Sequence, residues 1–147
     1  MKIVFVCSGN TCRSPMAEGL AKKYFPREFK VFSAGINAYP GCSANDKAIL
    51  AMSEKGIDIT THKAVMLDRD KLASADLVIV MTKDQQQYLL RSYSEYKDKI
   101  TVIAGLAGKD QEIPDPWGGS QENYRRCAQD LEDLIIIIAA GLKKRKA

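Results

Sequence analysis

The sequence has a single histidine and no apolar run long enough to cross a membrane. The longest such run, Leu134–Leu142, covers nine residues, whereas a membrane helix needs about 20. We therefore expect a buried helix face there and no membrane span. The lone histidine and four cysteines without CxxC spacing offer no recognisable zinc site, so no metal is expected.

The cysteines are also too sparse for the disulfide framework of a small secreted protein. They stand at positions 7, 12, 42 and 127. Met1 leads directly into a strand-like run, without the basic and apolar segments of a secretory signal. We expect a cytoplasmic protein, in which a cysteine in an unusual local setting is a candidate reactive thiol.

The charge is modest, with 22 basic and 18 acidic residues giving a net charge of +4. Only the tail Lys143–Lys146 concentrates basic residues. It could contact nucleic acid or acidic lipid, but a frayed, solvated terminus is favoured and no nucleic-acid partner is expected. The 147 residues, 46% of them hydrophobic, fit one domain over residues 1–147.

Strand-like and helical segments alternate along the chain. Strands are predicted at Lys2–Cys7, Lys30–Gly35, Asp76–Met81 and Lys99–Ile103. Helices are predicted over Met16–Tyr24, Asp46–Lys55, Lys83–Tyr93 and from near Ser120 to Leu142. This alternation predicts an α/β fold with a parallel sheet, in which ligands bind beyond the carboxyl ends of the strands.

Residues 7–15 read CSGNTCRSP and join the first strand to the first helix at that edge. Ser14 is expected to cap the helix, and Pro15 to occupy its first position. Gly9 and Asn10 tolerate a positive φ, so the loop can curl and point successive N–H groups inward. Such a nest beside a helix N-terminus is a site for an oxyanion.

Cys7 and Arg13 give this loop its chemistry. The arginine fork can bind two oxygens of a phosphate at once. Cys7, at the mouth of the nest, faces N–H dipoles and a guanidinium, which favour its thiolate. A thiolate facing a phosphoryl group is a nucleophile. The alternative is a buried strand-end thiol beside a surface arginine.

Asp115 is the candidate acid. It lies between two prolines in IPDPWGG, residues 113–119, so its backbone is extended and its carboxyl can project. It must be protonated while Cys7 is ionised. Asp-Pro alone is a common turn signal. It indicates a catalytic role for Asp115 only because the chain also has the Cys7–Arg13 loop.

With these motifs, the chain resembles the low-molecular-weight protein tyrosine phosphatases over essentially its whole length. The matching segments are VCSGNTCRSPMAE (residues 6–18), SAG (33–35), His62 with Ala64, ADLVIVM (75–81) and DPWGG (115–119). The resemblance implies a three-layer, flavodoxin-like doubly wound α/β fold. In it, a four-stranded parallel sheet carries helices on both faces.

The resemblance also implies site roles. Cys7 would be the nucleophile that forms a phosphocysteine, Arg13 the clamp, and Asp115 the acid and then the base. Ser14 would stabilise the thiolate, and Asn10 would maintain the strained loop. Ser8, Gly9, Thr11 and Cys12 complete the phosphate-binding loop.

Two further residues, Cys12 and His62, each have two possible roles. Cys12 would form a reversible disulfide with Cys7, or is a small packing residue. His62 would support the loop through hydrogen bonds to its Asn and Ser, or is simply exposed. The implied partners are a phosphorylated protein substrate and inorganic phosphate, for a monomer or weak dimer without a cofactor.

Substrate choice is less determined. Thr11 replaces a bulky aliphatic residue, and Trp117 and Gly118 replace two tyrosines, of many relatives that act on phosphotyrosine. This combination resembles a bacterial branch acting on phosphoarginine, which is the alternative substrate. Phosphotyrosine is the main expectation, because Tyr39 and Trp117 could form walls around an aromatic ring.

Two other functions are disfavoured. An arsenate reductase on this scaffold needs two further cysteines near the third strand, and residues 76–103 contain none. A non-catalytic phosphate-binding domain would be expected to lack the nucleophile, the clamp or the acid.

Overall fold

The computed structural model describes residues 1–146, with side chains described to residue 144. Its centre is a sheet of four parallel strands in the order β2-β1-β3-β4. The strands are β1 (Lys2–Cys7), β2 (Lys30–Gly35), β3 (Leu77–Val80) and β4 (Ile100–Val102). Because β1 pairs with both β2 and β3, the strand order reverses between β1 and β3, where α/β sheets bind ligands.

Helices cover both faces of this sheet. They are α1 (Arg13–Tyr24), α2 (Asp46–Ser53), α3 (Arg69–Ser74), α4 (Lys83–Ser92), α5 (Ile103–Leu106) and α6 (Gln121–Lys146). A 3-10 helix spans Ser94–Lys99. Successive strand side chains point to opposite faces, so Ile3 and Phe5 pack with α1, α2 and α6, whereas Val4 and Val6 pack with α3 and α4. The three-layer α/β fold is confirmed.

Most predicted elements are present with small shifts. The bounds of β1 and β2 are those predicted, while β3 and β4 are each one residue shorter at both ends. Helices α3 and α5, of 6 and 4 residues, were not predicted. They are too short to show a helical periodicity.

Two predictions about helix ends are wrong. Ser14 does not cap α1: the N-cap is Cys12, without a side-chain cap bond, and Pro15 is the third helical residue. The Ser14 hydroxyl contacts Cys7 instead. The backbone of Lys143–Lys146 is helical rather than frayed; the side chains beyond residue 144 lie outside the described residues.

Within the described part of the chain, the helices are too short or too polar to cross a membrane.

Candidate active site

The loop that follows β1 curls at the edge of the sheet where the strand order reverses. Asn10 has φ of 57°, the only positive φ of a described non-glycine residue. Asn is one of the few residues that adopt this conformation readily. Three backbone bonds hold the loop: Ile36 N donates to Cys7 O at 2.9 Å, Asn37 N to Ser8 O at 2.8 Å and Asn45 N to Thr11 O at 2.9 Å.

The buried Asn10 side chain connects the loop to its surroundings. Its Nδ2 donates to Ser14 Oγ at 2.8 Å and to Ser33 Oγ at 3.0 Å. Its Oδ1 accepts from Val65 N at 2.9 Å. His62 Nε2 lies 2.7 Å from the carbonyl oxygen of Asn10, which can only accept. His62 therefore bonds the loop at the Asn10 backbone, whereas the bond to Ser14 that was expected from His62 is made by the Asn10 side chain.

Cys7 and Ser14 form the next link. Cys7 is buried as the last residue of β1, and its Sγ lies 2.9 Å from Ser14 Oγ. Because Asn10 already donates to that oxygen, the Ser14 proton is free to point at the sulfur. A hydroxyl in this arrangement can donate a hydrogen bond to the sulfur.

Arg13 lies under residues 113–119, the segment that carries Asp115 and is called the acid loop below. Only 4% of the Arg13 surface is exposed. Its Nη1 donates to Ile113 O at 3.0 Å, and its Nη2 lies 3.7 Å from Asp115 Oδ2. The Asp115 side chain is half-exposed, and its Oδ1 accepts from Trp117 N at 3.1 Å. Arg13, the candidate clamp, and Asp115, the candidate acid, are thus neighbours.

The two segments enclose a cavity of about 180 Å³. Its lining residues are Cys7, Gly9, Thr11, Cys12, Arg13, Asp115 and Trp117. Trp117 is 73% exposed, which places it at the rim. Tyr39 is exposed and is not among the lining residues.

The thiols behind this cavity are in an apolar setting. Cys12 Sγ lies 3.4 Å from Tyr124 Oη. Burial raises the pKa of Cys12, although the Tyr124 contact opposes it. Burial also raises the pKa of Cys127, to about 12. All four cysteines are free thiols, so the reversible Cys7–Cys12 disulfide stays a prediction.

Gln85 supports the loop and was missed from the sequence. It is buried, its Oε1 accepts from Met81 N at 2.9 Å and Thr82 N at 3.2 Å, and its Nε2 donates to Ser8 Oγ at 3.3 Å. The Thr82–Gln85 spacing is a capping-box signal, but it marks only the start of α4, which is predicted at Lys83 in any case. The contact with Ser8 follows only from the meeting of β1 and β3.

No group of three or more His, Cys, Asp or Glu side chains among the described residues could hold a metal ion.

Comparison with known proteins gives the class of this site. The model of the family described as low molecular weight phosphotyrosine protein phosphatase matches residues 2–147. The chain belongs to this family.

Particular relatives differ in activity. The protein-arginine-phosphatase of Bacillus subtilis (strain 168) is 40% identical over 148 residues, covering 98% of both chains. Arsenate reductase 2 of Staphylococcus epidermidis is 46% identical over 135 residues, covering 90% of this chain and 92% of that one. A solved structure of a YwlE arginine phosphatase C7S mutant, with a phosphorylated active-site serine, has a TM-score of 0.92 and 38% identity, covering 98% of this chain and 97% of that one.

Proposed function

We propose that the protein is a cysteine-dependent protein phosphatase that acts through a phosphocysteine intermediate. The observation that carries the proposal is the meeting of Cys7, Arg13 and Asp115 at one cavity of about 180 Å³. Cys7 and Arg13 come from the loop after β1, and Asp115 lies about a hundred residues further along the chain. We expect a phosphoryl group to bind in the cavity that the three residues line.

In the first step, the loop N–H groups and Arg13 bind the phosphate oxygens and stabilise their negative charge. The Cys7 thiolate forms the S–P bond while the bond from phosphorus to the substrate atom breaks. Asp115 donates its proton to that leaving atom. The products are the dephosphorylated side chain and phosphocysteine.

In the second step, Asp115 takes a proton from water, whose oxygen attacks the phosphorus. The S–P bond breaks, inorganic phosphate is released, and the departing thiolate accepts the hydrogen bond of Ser14. The relative captured with a phosphorylated active-site serine supports this scheme, because that serine stands at the nucleophile position.

Replacement of the nucleophile tests the proposal. Cys7→Ser should abolish p-nitrophenyl phosphate hydrolysis and retain vanadate binding, because the phosphate-binding N–H groups and Arg13 remain. Cys42→Ser is the matched control, since Cys42 is a free, partly exposed cysteine that does not line the cavity. Turnover by Cys7→Ser at the wild-type rate would refute the mechanism.

Phosphotyrosine is the first candidate substrate. Trp117 at the rim offers a flat apolar wall to an aryl ring, and phosphotyrosine is the substrate in the family's description. Tyr39 is not part of the cavity wall, so this role rests on Trp117.

Phosphoarginine is the second candidate, favoured by Thr11. This residue lines the cavity and presents a small side chain with a hydroxyl to the substrate. The arginine phosphatase relative matches almost the whole chain. Turnover of matched phosphotyrosine and phosphoarginine peptides by wild type and Thr11→Ile separates the candidates. Loss of phosphoarginine turnover with a gain on phosphotyrosine supports the second one, and no change excludes Thr11 as the selector.

Arsenate reduction is not proposed, although an arsenate reductase is related. Arsenate reduction would require a second and a third cysteine that form a disulfide after the nucleophilic thiolate has attacked arsenate. Residues 76–103, which include the third strand, have no cysteine. Thioredoxin oxidation that depends on arsenate, at a rate comparable with phosphate hydrolysis, would reverse this conclusion.

We also propose a single domain over residues 1–147, located in the cytoplasm and present as a monomer or weak dimer. Four free thiols suit a reducing compartment.

A further inference from the structure

The far end of the acid loop is bonded to the first turn of α2. Lys47 Nζ donates to Gly119 O at 2.8 Å, and Gln121 Nε2 donates to Lys47 O at 2.8 Å. The two bonds run in opposite directions between the same pair of segments. They connect residues 72 and 74 positions apart in sequence.

Gly119 closes a tight turn in this loop. Its N donates to Pro116 O at 2.9 Å, which closes a turn with Gly118 at φ of 81°. A Cβ at position 119 would lie 2.5 Å from Asn123 Nδ2 and 2.9 Å from Pro116 O, so a larger residue does not fit without rearrangement. A displacement of the Gly119 carbonyl therefore moves the turn that begins next to Asp115.

The two ends of the acid loop are fixed by different cations. Arg13 bonds the carbonyl of Ile113, two residues before Asp115. Lys47 bonds the carbonyl of Gly119, four residues after it. Asp115 lies between the two, and its carboxylate also accepts from Trp117 N.

The same turn of α2 is bonded to the loop that follows Cys7, residues 8–12, which is called the nucleophile loop here. Asn45 N donates to Thr11 O at 2.9 Å, and Asn45 Oδ1 accepts from Lys47 N at 2.9 Å as the cap of α2. Residues 45–47 therefore link the loop that carries Cys7 with the loop that carries Asp115.

We propose that Lys47 is a positioning residue for the reaction. Its ammonium bond to Gly119 sets the location of the Asp115 carboxyl relative to the phosphoryl group on the nucleophile loop. Lys47 is exposed and does not line the cavity, so it acts through the acid loop and not on the substrate. This inference rests on the proposed function, because it assumes that Asp115 is the general acid.

A leaving-group comparison tests the role. With Asp115 in place, kcat/KM depends little on how easily the leaving oxygen departs, because that oxygen leaves protonated. Lys47→Met should lower kcat/KM for phenyl phosphate, a poor leaving group, by roughly threefold to tenfold, the effect of one ordinary hydrogen bond at an exposed site. For p-nitrophenyl phosphate, a good leaving group, the change should stay within about twofold.

Two further variants separate positioning from folding. Lys47→Arg should restore the wild-type ratio of the two kcat/KM values, because a guanidinium can still donate to Gly119 O. Lys55→Met is the matched control: Lys55 lies just beyond the other end of α2 and bonds Glu132 and Gln129 of α6. It should lower the melting temperature and leave the ratio unchanged.

An unchanged ratio in Lys47→Met, or an equal fall for both substrates, overturns the inference. Cys7→Ser and Asp115→Ala, measured alongside, test the proposed function separately. Turnover by Cys7→Ser, or an unchanged ratio in Asp115→Ala, refutes the proposed mechanism. If those two behave as expected and Lys47→Met matches wild type, only the role of Lys47 is refuted.

Discussion

Cys7 Sγ lies 2.9 Å from Ser14 Oγ, and Asn10 Nδ2 donates to the same serine oxygen at 2.8 Å. The hydrogen bond from the Asn10 amide fills one acceptor position of the hydroxyl and leaves its proton free to donate to the sulfur. A hydrogen bond to a charged group contributes about 1.5–3 kcal/mol. Ser14 is thus placed to stabilise the thiolate whenever it forms, including when it leaves phosphorus.

Ser14→Ala should slow the second step more than the first, because the departing thiolate loses this bond. We expect kcat to fall about tenfold to a hundredfold. Stopped-flow measurement with p-nitrophenyl phosphate should then show a burst of p-nitrophenol approaching one equivalent of enzyme. Ser33→Ala, which removes another hydroxyl bonded to Asn10 but does not touch Cys7, should show no burst. Equal behaviour of the two variants would contradict the assignment.

Asn10 should matter for stability through its backbone and its side chain separately. Asn10→Gly keeps the positive φ accessible but loses the side-chain bonds to Ser14, Ser33 and Val65, each contributing about 1 kcal/mol. Asn10→Ala loses these bonds and also meets the left-handed penalty of about 1–2 kcal/mol. The free energy of unfolding measured by urea denaturation should therefore be highest for wild type, lower for Asn10→Gly and lowest for Asn10→Ala. Equal free energies of unfolding for Asn10→Ala and Asn10→Gly would show that the loop relaxes out of this conformation.

Glu132 should contribute to the pH dependence of stability. Its pKa is lowered from 4.5 chiefly by the hydrogen bond from Lys55, with burial opposing and Tyr24 assisting. Because the folded pKa is below the unfolded one, the carboxylate stabilises the fold above about pH 4.5. That contribution is lost as the pH falls through the folded value.

Thermal unfolding of wild type and Glu132→Gln from about pH 7 to about pH 3 measures this effect. The difference in melting temperature should be largest near neutrality and shrink in acid. A difference that stays constant over this range would show that Glu132 acts by packing alone.

Much of the fold is predictable because it depends on local patterns. The strand Lys2–Cys7 is apolar and bounded by Ser8 and Gly9, and the structure reproduces its limits. The amphipathic stripe after Ser120 predicts α6 in spite of its run of isoleucines. Ser14 shows the limit of this reasoning: a serine before a proline indicates a cap, but here the hydroxyl bonds the Cys7 sulfur instead.

The site was predictable as a set of residues but not as a network. The pattern C-x5-R and the distant Asp-Pro identify Cys7, Arg13 and Asp115, which the structure brings to one cavity. Lys47 and Gln85 carry no such signal, because their contacts depend on side chains that reach the loops from α2 and from α4. Tyr39 lies in the loop between β2 and α2, whose path the sequence does not determine, and its exposed ring is not among the residues that line the cavity.

The most direct test of the phosphocysteine mechanism is to identify the phosphorylated residue during turnover. Asp115→Ala, which should slow hydrolysis of the intermediate, is mixed with p-nitrophenyl phosphate, quenched within the burst and analysed by peptide mass spectrometry. A phosphocysteine intermediate predicts one phosphoryl group on Cys7, absent from Cys7→Ala treated in the same way. Phosphate on another residue, or turnover without any phosphorylated enzyme, would contradict it.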